Sequence, residues 1–292
     1  MKRLVFPLAI FSILLFACTF STTATPAVVS PAPVTLQPPT ATALPTATLP
    51  PATAQPPAAT VTQAATVPSA PQTNSTCNEL ALFLDPALAS GFSCQTIAEA
   101  AGDPNAPGFA VNPKYTEIAL TGYILSDRFF TPKIDLYPVQ RYGELLPDII
   151  PSQVAALQAL IGGAPTASKG LPILPIFNAA QEFFAGYQVL PFGSGNGIRY
   201  LTQYSQFADP INNHEIFYTY QGLTSDGKYW VSAILPISNP LLPADGNTPP
   251  ASQSWDSYMA ALTTQLNAQP PQSYSPTITM LDALVASMRV QP

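Results

Sequence analysis

The 292-residue chain contains 35 prolines, and only 9% of it is charged, against about a quarter in ordinary globular domains. That combination excludes one uniform globular domain and excludes a coiled coil. With 16 acidic and 10 basic residues the net charge is -6, which repels phosphate backbones and argues against a nucleic-acid binder.

Met1-Lys2-Arg3 precedes a mostly apolar run from Leu4 to Ala17. Cations followed by such a run are the pattern of a secretory signal over residues 1–17. The run falls short of the roughly 20 residues that a membrane-spanning helix needs. It ends Leu15-Phe16-Ala17-Cys18, which resembles the lipobox of bacterial lipoproteins. The resemblance implies cleavage before Cys18 and acylation of its sulfur, with palmitate-type chains holding the mature protein on the membrane. The other reading is an ordinary signal with Cys18 incidental. Residue 19 is Thr rather than Asp, so the resemblance brings no inner-membrane retention signal with it.

Residues 18–76 read as a lipidated N-terminus and a disordered linker. No charged residue occurs between Thr19 and Thr76, and Pro, Thr, Ala, Val and Gln dominate. The closely spaced prolines oppose helix interiors and sheet ladders. Such a segment favours polyproline II, at about 3.1 Å per residue, and could hold a domain on the order of 100 Å from a membrane. Pro/Thr-rich stalks are also common O-glycosylation targets.

The remaining sequence, 77–292, reads as a single α+β domain with a mostly antiparallel sheet and flanking helices. It carries 8 basic and 16 acidic residues. Cys77 and Cys94 form an even pair in an exported domain, which predicts a disulfide. A metal pair or a catalytic thiol are the alternatives. Thr76-Cys77-Asn78-Glu79 reads as a capping box opening a helix over 79–89, with a short second helix over 95–101. Strands are predicted over Tyr115–Ile124 and Lys133–Val139, joined by the turn SDRFFTP. Ser152 caps a helix over Gln153–Ile161, and a short helix follows over 178–185.

Phe192-Gly193-Ser194-Gly195-Asn196-Gly197 is a loop before a strand over Ile198–Tyr204. Its glycines resemble a phosphate cradle, but the P-loop lysine and the following helix are missing, so it reads as a hairpin or bulge turn. Glu215–Leu223 and Lys228–Ile237 flank Thr224-Ser225-Asp226-Gly227, the clearest hairpin signal in the chain. Both faces of that hairpin carry large apolar residues, which predicts a central position. Ser254 precedes a helix over Trp255–Leu266 with an apolar stripe. Ser275-Pro276 reads as an N-cap with proline at the first helical position, opening a helix over Thr277–Arg289.

Catalytic chemistry is poorly marked. His214 is the single histidine, so a nucleophilic triad would have to use it. No metal-ligand spacing is present, and no cofactor is implied. Among the acids, Glu182, Asp209, Glu215 and Asp226 are the ones to inspect for a converging carboxylate pair. Tyr200, Tyr204, Tyr218, Tyr220, Tyr229 and Trp230 cluster in three consecutive strands. Tyr200, Tyr204, Tyr218, Tyr220 and Trp230 are candidate contacts to a sugar or peptide, although such residues equally make a core.

The lipobox and Pro/Thr tether are similar to those of bacterial surface lipoproteins. The segments PKIDLYPV, GIRYLTQY and FYTYQGLTSDGKYWVSAILPI resemble uncharacterised domains of envelope lipoproteins. The closing MLDALVASMRV is similar to the last helix of PsbP/Mog1-like α+β lipoproteins. The resemblance implies an extracytoplasmic, lipid-anchored protein of the bacterial envelope. The expectation is a binding or interaction module with a glycan or protein partner at the cell surface. The alternatives are a carboxylate-dependent, glycan-directed hydrolase and a structural spacer.

Overall fold

The computed structural model describes residues 72–102, 106–166, 170–246 and 254–291. The predicted signal segment, Cys18 with its lipobox, and the tether up to residue 71 lie outside the described residues. In chain order the strands and helices begin with β1 (Ser75–Cys77), β2 (Leu80–Leu82), β3 (Ala89–Ile97), β4 (Tyr115–Tyr123) and β5 (Lys133–Pro138). Then come α1 (Val139–Leu145), α2 (Ile150–Ile161), β6 (Ala180–Phe192), β7 (Gly195–Ser205), β8 (Phe217–Thr224) and β9 (Tyr229–Pro236). The chain closes with α3 (Trp255–Ala268), α4 (Ile278–Ser287) and β10 (Arg289–Val290). Regular structure therefore starts two residues ahead of the predicted boundary at 77.

The architecture is α+β. One sheet has seven strands in the order β3-β4-β5-β9-β8-β7-β6, and every neighbouring pair in it is antiparallel. The second sheet is small, with order β1-β2-β10. The β8–β9 hairpin sits inside the large sheet, as its two apolar faces predict. Tyr218, Tyr220, Val231, Ala233 and Leu235 point to one face, where α3, α4 and the small sheet cover them. Tyr137, Ile198, Tyr200 and Trp230 point to the other face, where α1 and α2 supply Tyr142, Ile150, Leu157 and Leu160. Alternation along each strand divides one hydrophobic sequence between two cores.

A third apolar cluster lies on the α1–α2 face but contains no helical residue. It joins Ile173, Phe217 and Ile234, with Phe130, Phe177 and Tyr204 packed against them. Loops rather than a helix cover that part of the sheet.

Several predicted helices are strands. Thr76-Cys77-Asn78-Glu79 is not a capping box. Cys77 pairs with Leu80 across a two-residue turn in which Asn78 has φ 50°, a left-handed conformation that asparagine tolerates. The helix predicted over 95–101 gives way to β3, whose Gln95 and Ile97 pair with Glu117 and Tyr115. The helix predicted over 178–185 is the start of β6. Its alternation is masked by register shifts between Gln181 and Phe183 and between Ala185 and Gln188. In each case pairing to a partner strand overrides local helix propensity.

The remaining differences are at element ends. α1 was not anticipated from VQRYGEL. α2 begins at Ile150, ahead of the predicted Ser152 cap, and carries Pro151 in its first turn. Ser275 does not cap α4. Its backbone N–H and C=O both bond Ser238, which holds it extended. Thr277 is the cap, and its side chain accepts from the Met280 N–H. That helix stops at Ser287 because Arg289 and Val290 pair with β2. Ser254 caps α3 as predicted, accepting from Ser257 N–H.

The Cys77–Cys94 disulfide is formed, with Cα atoms 5.5 Å apart. It joins β1 of the small sheet to β3 at the edge of the large one, rather than two helices. FGSGNG is a hairpin tip, with Phe192 paired to Gly195 across Gly193-Ser194. A Cβ at Gly195 would lie 2.0 Å from the Leu223 carbonyl oxygen, so strand packing accounts for that glycine. No described helix is long and apolar enough to cross a membrane.

Candidate functional site: an aromatic cleft at one end of the sheet

Three connections meet where β7 ends and β6, β8 and β5 begin. They run over residues 124–132, 170–179 and 206–216. Between them lies an open cleft of about 440 Å³, within the size range of small-molecule sites. Its aromatic wall is continuous. The rings of Phe129 and Phe130 are 4.9 Å apart, Phe130 and Phe177 5.5 Å, and Phe177 and Tyr204 4.6 Å. Phe217, fully buried at the start of β8, packs under Phe130 with ring centroids 4.6 Å apart.

The wall opens to solvent at its rim. Phe129 is 63% exposed and Phe207 70% exposed. Most large apolar side chains of the domain are buried, so two phenylalanines left out on the lips of one cleft stand apart. The polar part of the lining comes from Asn178, Ser205, Gln206, Asp209 and Glu215. No lysine, arginine or histidine is among the described lining residues.

The two acids are held by a buried polar lock. Asn212 and Gln203 are both fully buried. Gln203 accepts from the Asn212 backbone N–H at 3.0 Å, and the Asn212 side-chain oxygen accepts from the N–H groups of His214 and Glu215 at 3.0 and 3.1 Å. This is an Asx-type turn, which asparagine forms readily. Ser205 Oγ donates to Asp209 Oδ2 at 3.2 Å and accepts from Phe207 N–H at 3.3 Å. Phe129 N–H donates to the His214 carbonyl at 2.9 Å, tying the 124–132 loop to the 206–216 loop. Burial lifts the Glu215 carboxyl above the usual glutamate range and the nearby Asp209 charge adds to it, while Asn212 and His214 oppose the shift.

The other residues singled out in the sequence lie elsewhere. Tyr200, Tyr218, Tyr220 and Trp230 are fully buried at 0% exposure, which corrects their reading as ligand contacts: they are core. Their polar atoms are committed. Tyr200 donates to the Pro172 carbonyl, Tyr218 to Asp282, Tyr220 to the Leu190 carbonyl, and Trp230 Nε1 to Gln221 Oε1. Tyr229 is half-buried against the core. Of the five tyrosine and tryptophan candidates for ligand contact, Tyr204 alone reaches the cleft. Glu182 is buried in β6, and Asp226 lies in the exposed β8–β9 turn, 3.1 Å from Lys228. Asp209 and Glu215 are the two inspected acids that the fold brings together. His214 sits beside the rim, its ring 6.2 Å from that of Phe129.

The phenylalanines of the cleft were missed. Phe129 and Phe130 fall in the segment read as a turn, and Phe177 and Phe207 lie outside every predicted element. Large aromatics inside otherwise polar connections were the available signal, since loops carry function more often than core strands do. A second ionic cluster lies on β4 and β5, outside the cleft lining. Lys133 Nζ is 3.0 Å from Glu117 and 2.8 Å from Asp135. Asp135 also accepts from Tyr137 OH, and burial pushes its carboxyl up to about 6 against the pull of Lys133. Among the described residues no group of three or more His, Cys, Asp and Glu is placed to hold a metal ion. No protein-family model, curated protein or solved structure matches this chain.

Proposed function

We propose that the chain is a lipid-anchored, extracytoplasmic binding module of the bacterial envelope, and that the aromatic cleft is its contact surface. The cleft carries this reading: five aromatic side chains, two of them on exposed lips, surround a small-molecule-sized space. The Leu15–Cys18 lipobox, the charge-free stretch to Thr76 and the Cys77–Cys94 bond support export and anchoring. A long tether suits a domain that must reach a ligand beyond the membrane surface.

Two experiments test the two halves of the proposal. Mass spectrometry of the mature N-terminus is expected to show an acylated Cys18, and Cys18→Ser is expected to move the protein out of the membrane fraction. An unmodified N-terminus ahead of residue 18 would end the anchoring half. For the cleft, a fragment library screened by thermal shift on the full chain is expected to give stabilising hits that vanish in the Phe129→Ala/Phe207→Ala double variant. Hits that survive in that variant would place binding elsewhere.

A second reading has its own observation. Asp209 and Glu215 border one cleft, and burial together with the Asp209 charge raises the Glu215 carboxyl, two features that a carboxylate-dependent hydrolase uses. Turnover of chromogenic glycosides that disappears in both Asp209→Asn and Glu215→Gln would establish it, and absence of turnover across the panel rejects it.

A further inference from the structure

Taking the cleft as a binding site, we infer that its ligand is an organic cation: an ammonium group carried on a small apolar body. Six of the domain's other acids are ion-paired, whereas exposed acids such as Asp127, Asp148 and Asp256 enter no ion pair among the described residues; what distinguishes Asp209 and Glu215 is that they border a cleft. Asp135 and Glu117 meet Lys133, Glu99 and Glu144 meet Arg141, Asp282 meets Arg199, and Asp226 meets Lys228. Asp209 and Glu215 enter no ion pair among the described residues, and the cleft they border has no cationic lining. The cleft is negative on one side and aromatic on the other.

Each side selects for the same group. The face of an aromatic ring carries the negative part of its quadrupole, so an ammonium placed over it is attracted. A ring presents this face to a cation and not to an anion, and the two carboxylates make the same choice. An anionic ligand would meet both acids without a compensating lysine or arginine. A neutral apolar ligand would gain from the rings but would leave the acids to be desolvated against nothing. An ammonium on an alkyl or aryl body uses both sides. Its carbon framework lies along Phe130, Phe177 and Tyr204, while its charge reaches Asp209 and Glu215.

The acids are also positioned in advance. The fully buried Asn212 fixes the backbone at Glu215 through two hydrogen bonds, and Ser205 holds the Asp209 carboxylate. A site assembled before the ligand arrives loses less entropy on binding. Linkage gives a second consequence. Burial and Asp209 favour protonated Glu215, and a bound ammonium would favour the ionised form, so binding should release protons. The groups facing Glu215 are Asp209, whose charge acts against ionisation, and His214, whose charge acts for it.

The test compares three probes of similar shape on the full chain by calorimetry: 2-phenylethylammonium, 2-phenylethanol and 3-phenylpropanoate. The ammonium is expected to bind roughly tenfold or more tightly than the alcohol, with the carboxylate weakest. That preference should collapse in Asp209→Asn/Glu215→Gln, whose melting temperature stays near that of the parent. Repeating the ammonium titration in buffers of different ionisation enthalpy should reveal proton release. If ammonium and alcohol bind equally, and both are lost in Phe129→Ala/Phe207→Ala, the cleft remains a binding site but the cation inference is overturned. Tightest binding of the carboxylate overturns it too. If no probe binds, the reading of the cleft as a small-ligand site falls with it.

Discussion

One face of the large sheet is built in two ways. Under α1 and α2 it carries Tyr137, Tyr200 and Trp230, together with the acid Asp135. Beyond those helices it carries Phe130, Phe177, Tyr204 and Phe217, with the acids Asp209 and Glu215 nearby. Both halves contain aromatics and carboxylates. In the covered half each buried polar atom of the aromatics has a partner inside the protein, and Asp135 has Lys133. In the uncovered half the wall is mainly phenylalanine, with no polar handle to satisfy, and the acids face space instead of a lysine. The same side-chain types serve as core where the fold supplies their aromatic polar atoms with partners and Asp135 with a lysine, although Asp135 Oδ1 stays unpartnered, and as a site where it leaves the acids without a cation.

The largest expected effect breaks the covered half. Trp230→Ala removes a fully buried indole and leaves Gln221 Oε1 without its donor, and should cost about 3–5 kcal/mol of stability. Urea denaturation of the full chain measures it. A loss under about 1 kcal/mol would mean that this half is not the stabilising core.

Removing the Cys77–Cys94 bond comes next. Its sequence separation of 17 residues gives about 3 kcal/mol in the chain-entropy account. The bond joins β1 to β3, whereas the cleft is made by the loops over 124–132, 170–179 and 206–216. Cys77→Ala/Cys94→Ala should therefore lower the melting temperature and leave cleft affinity unchanged. A parallel loss of binding would show that the two regions are coupled.

What the sequence revealed follows the same division. The strands Phe217–Thr224 and Tyr229–Pro236 were legible because a central strand must be apolar on both faces, with Asp226-Gly227 marking the hairpin between them, and Tyr115–Tyr123 was legible from its aromatic and β-branched residues. β1, β2 and β6 were not. Asn78 imitates part of a helix cap until its left-handed φ is known, and the bulges in β6 hide its period of two. The cleft acids were noticed as isolated carboxylates, but nothing local shows that Asp209 and Glu215 converge. That depends on Asn212, Gln203 and Ser205, which are ordinary polar residues until the 206–216 loop closes over them. The cleft phenylalanines come from three separate connections, so only the tertiary fold makes them one wall.

Asp135 sharpens the contrast between the acids. Its carboxyl titrates near 6 in the fold, against about 4 for an unfolded aspartate. The native state therefore holds its proton more tightly, and stability from this group falls as pH rises from about 4 to about 6, then levels off. The total change is about 3 kcal/mol. Denaturation at about pH 4 and about pH 7 should show this slope in the parent and not in Asp135→Asn, while contributions common to both proteins cancel in the difference. Ligand binding at the cleft should have the opposite dependence, strengthening as pH rises and Glu215 ionises. Identical slopes in parent and variant would remove Asp135 as the source.

The smallest stability effect is the most informative about the uncovered half. Phe207 is 70% exposed, and its backbone N–H, not its ring, makes the bond to Ser205. Phe207→Ala should therefore change stability by no more than about 0.5 kcal/mol, while weakening a cleft ligand several-fold because one face of the aromatic wall is gone. Trp230→Ala should do the reverse in relative terms, costing stability out of proportion to any direct contact with ligand. Measured together, melting temperature and ligand affinity place each aromatic on one side of the division. A Phe207→Ala protein that melts as early as a core variant would show that its ring is packed in solution, and the distinction between the two halves of the face would then rest on Phe129 alone.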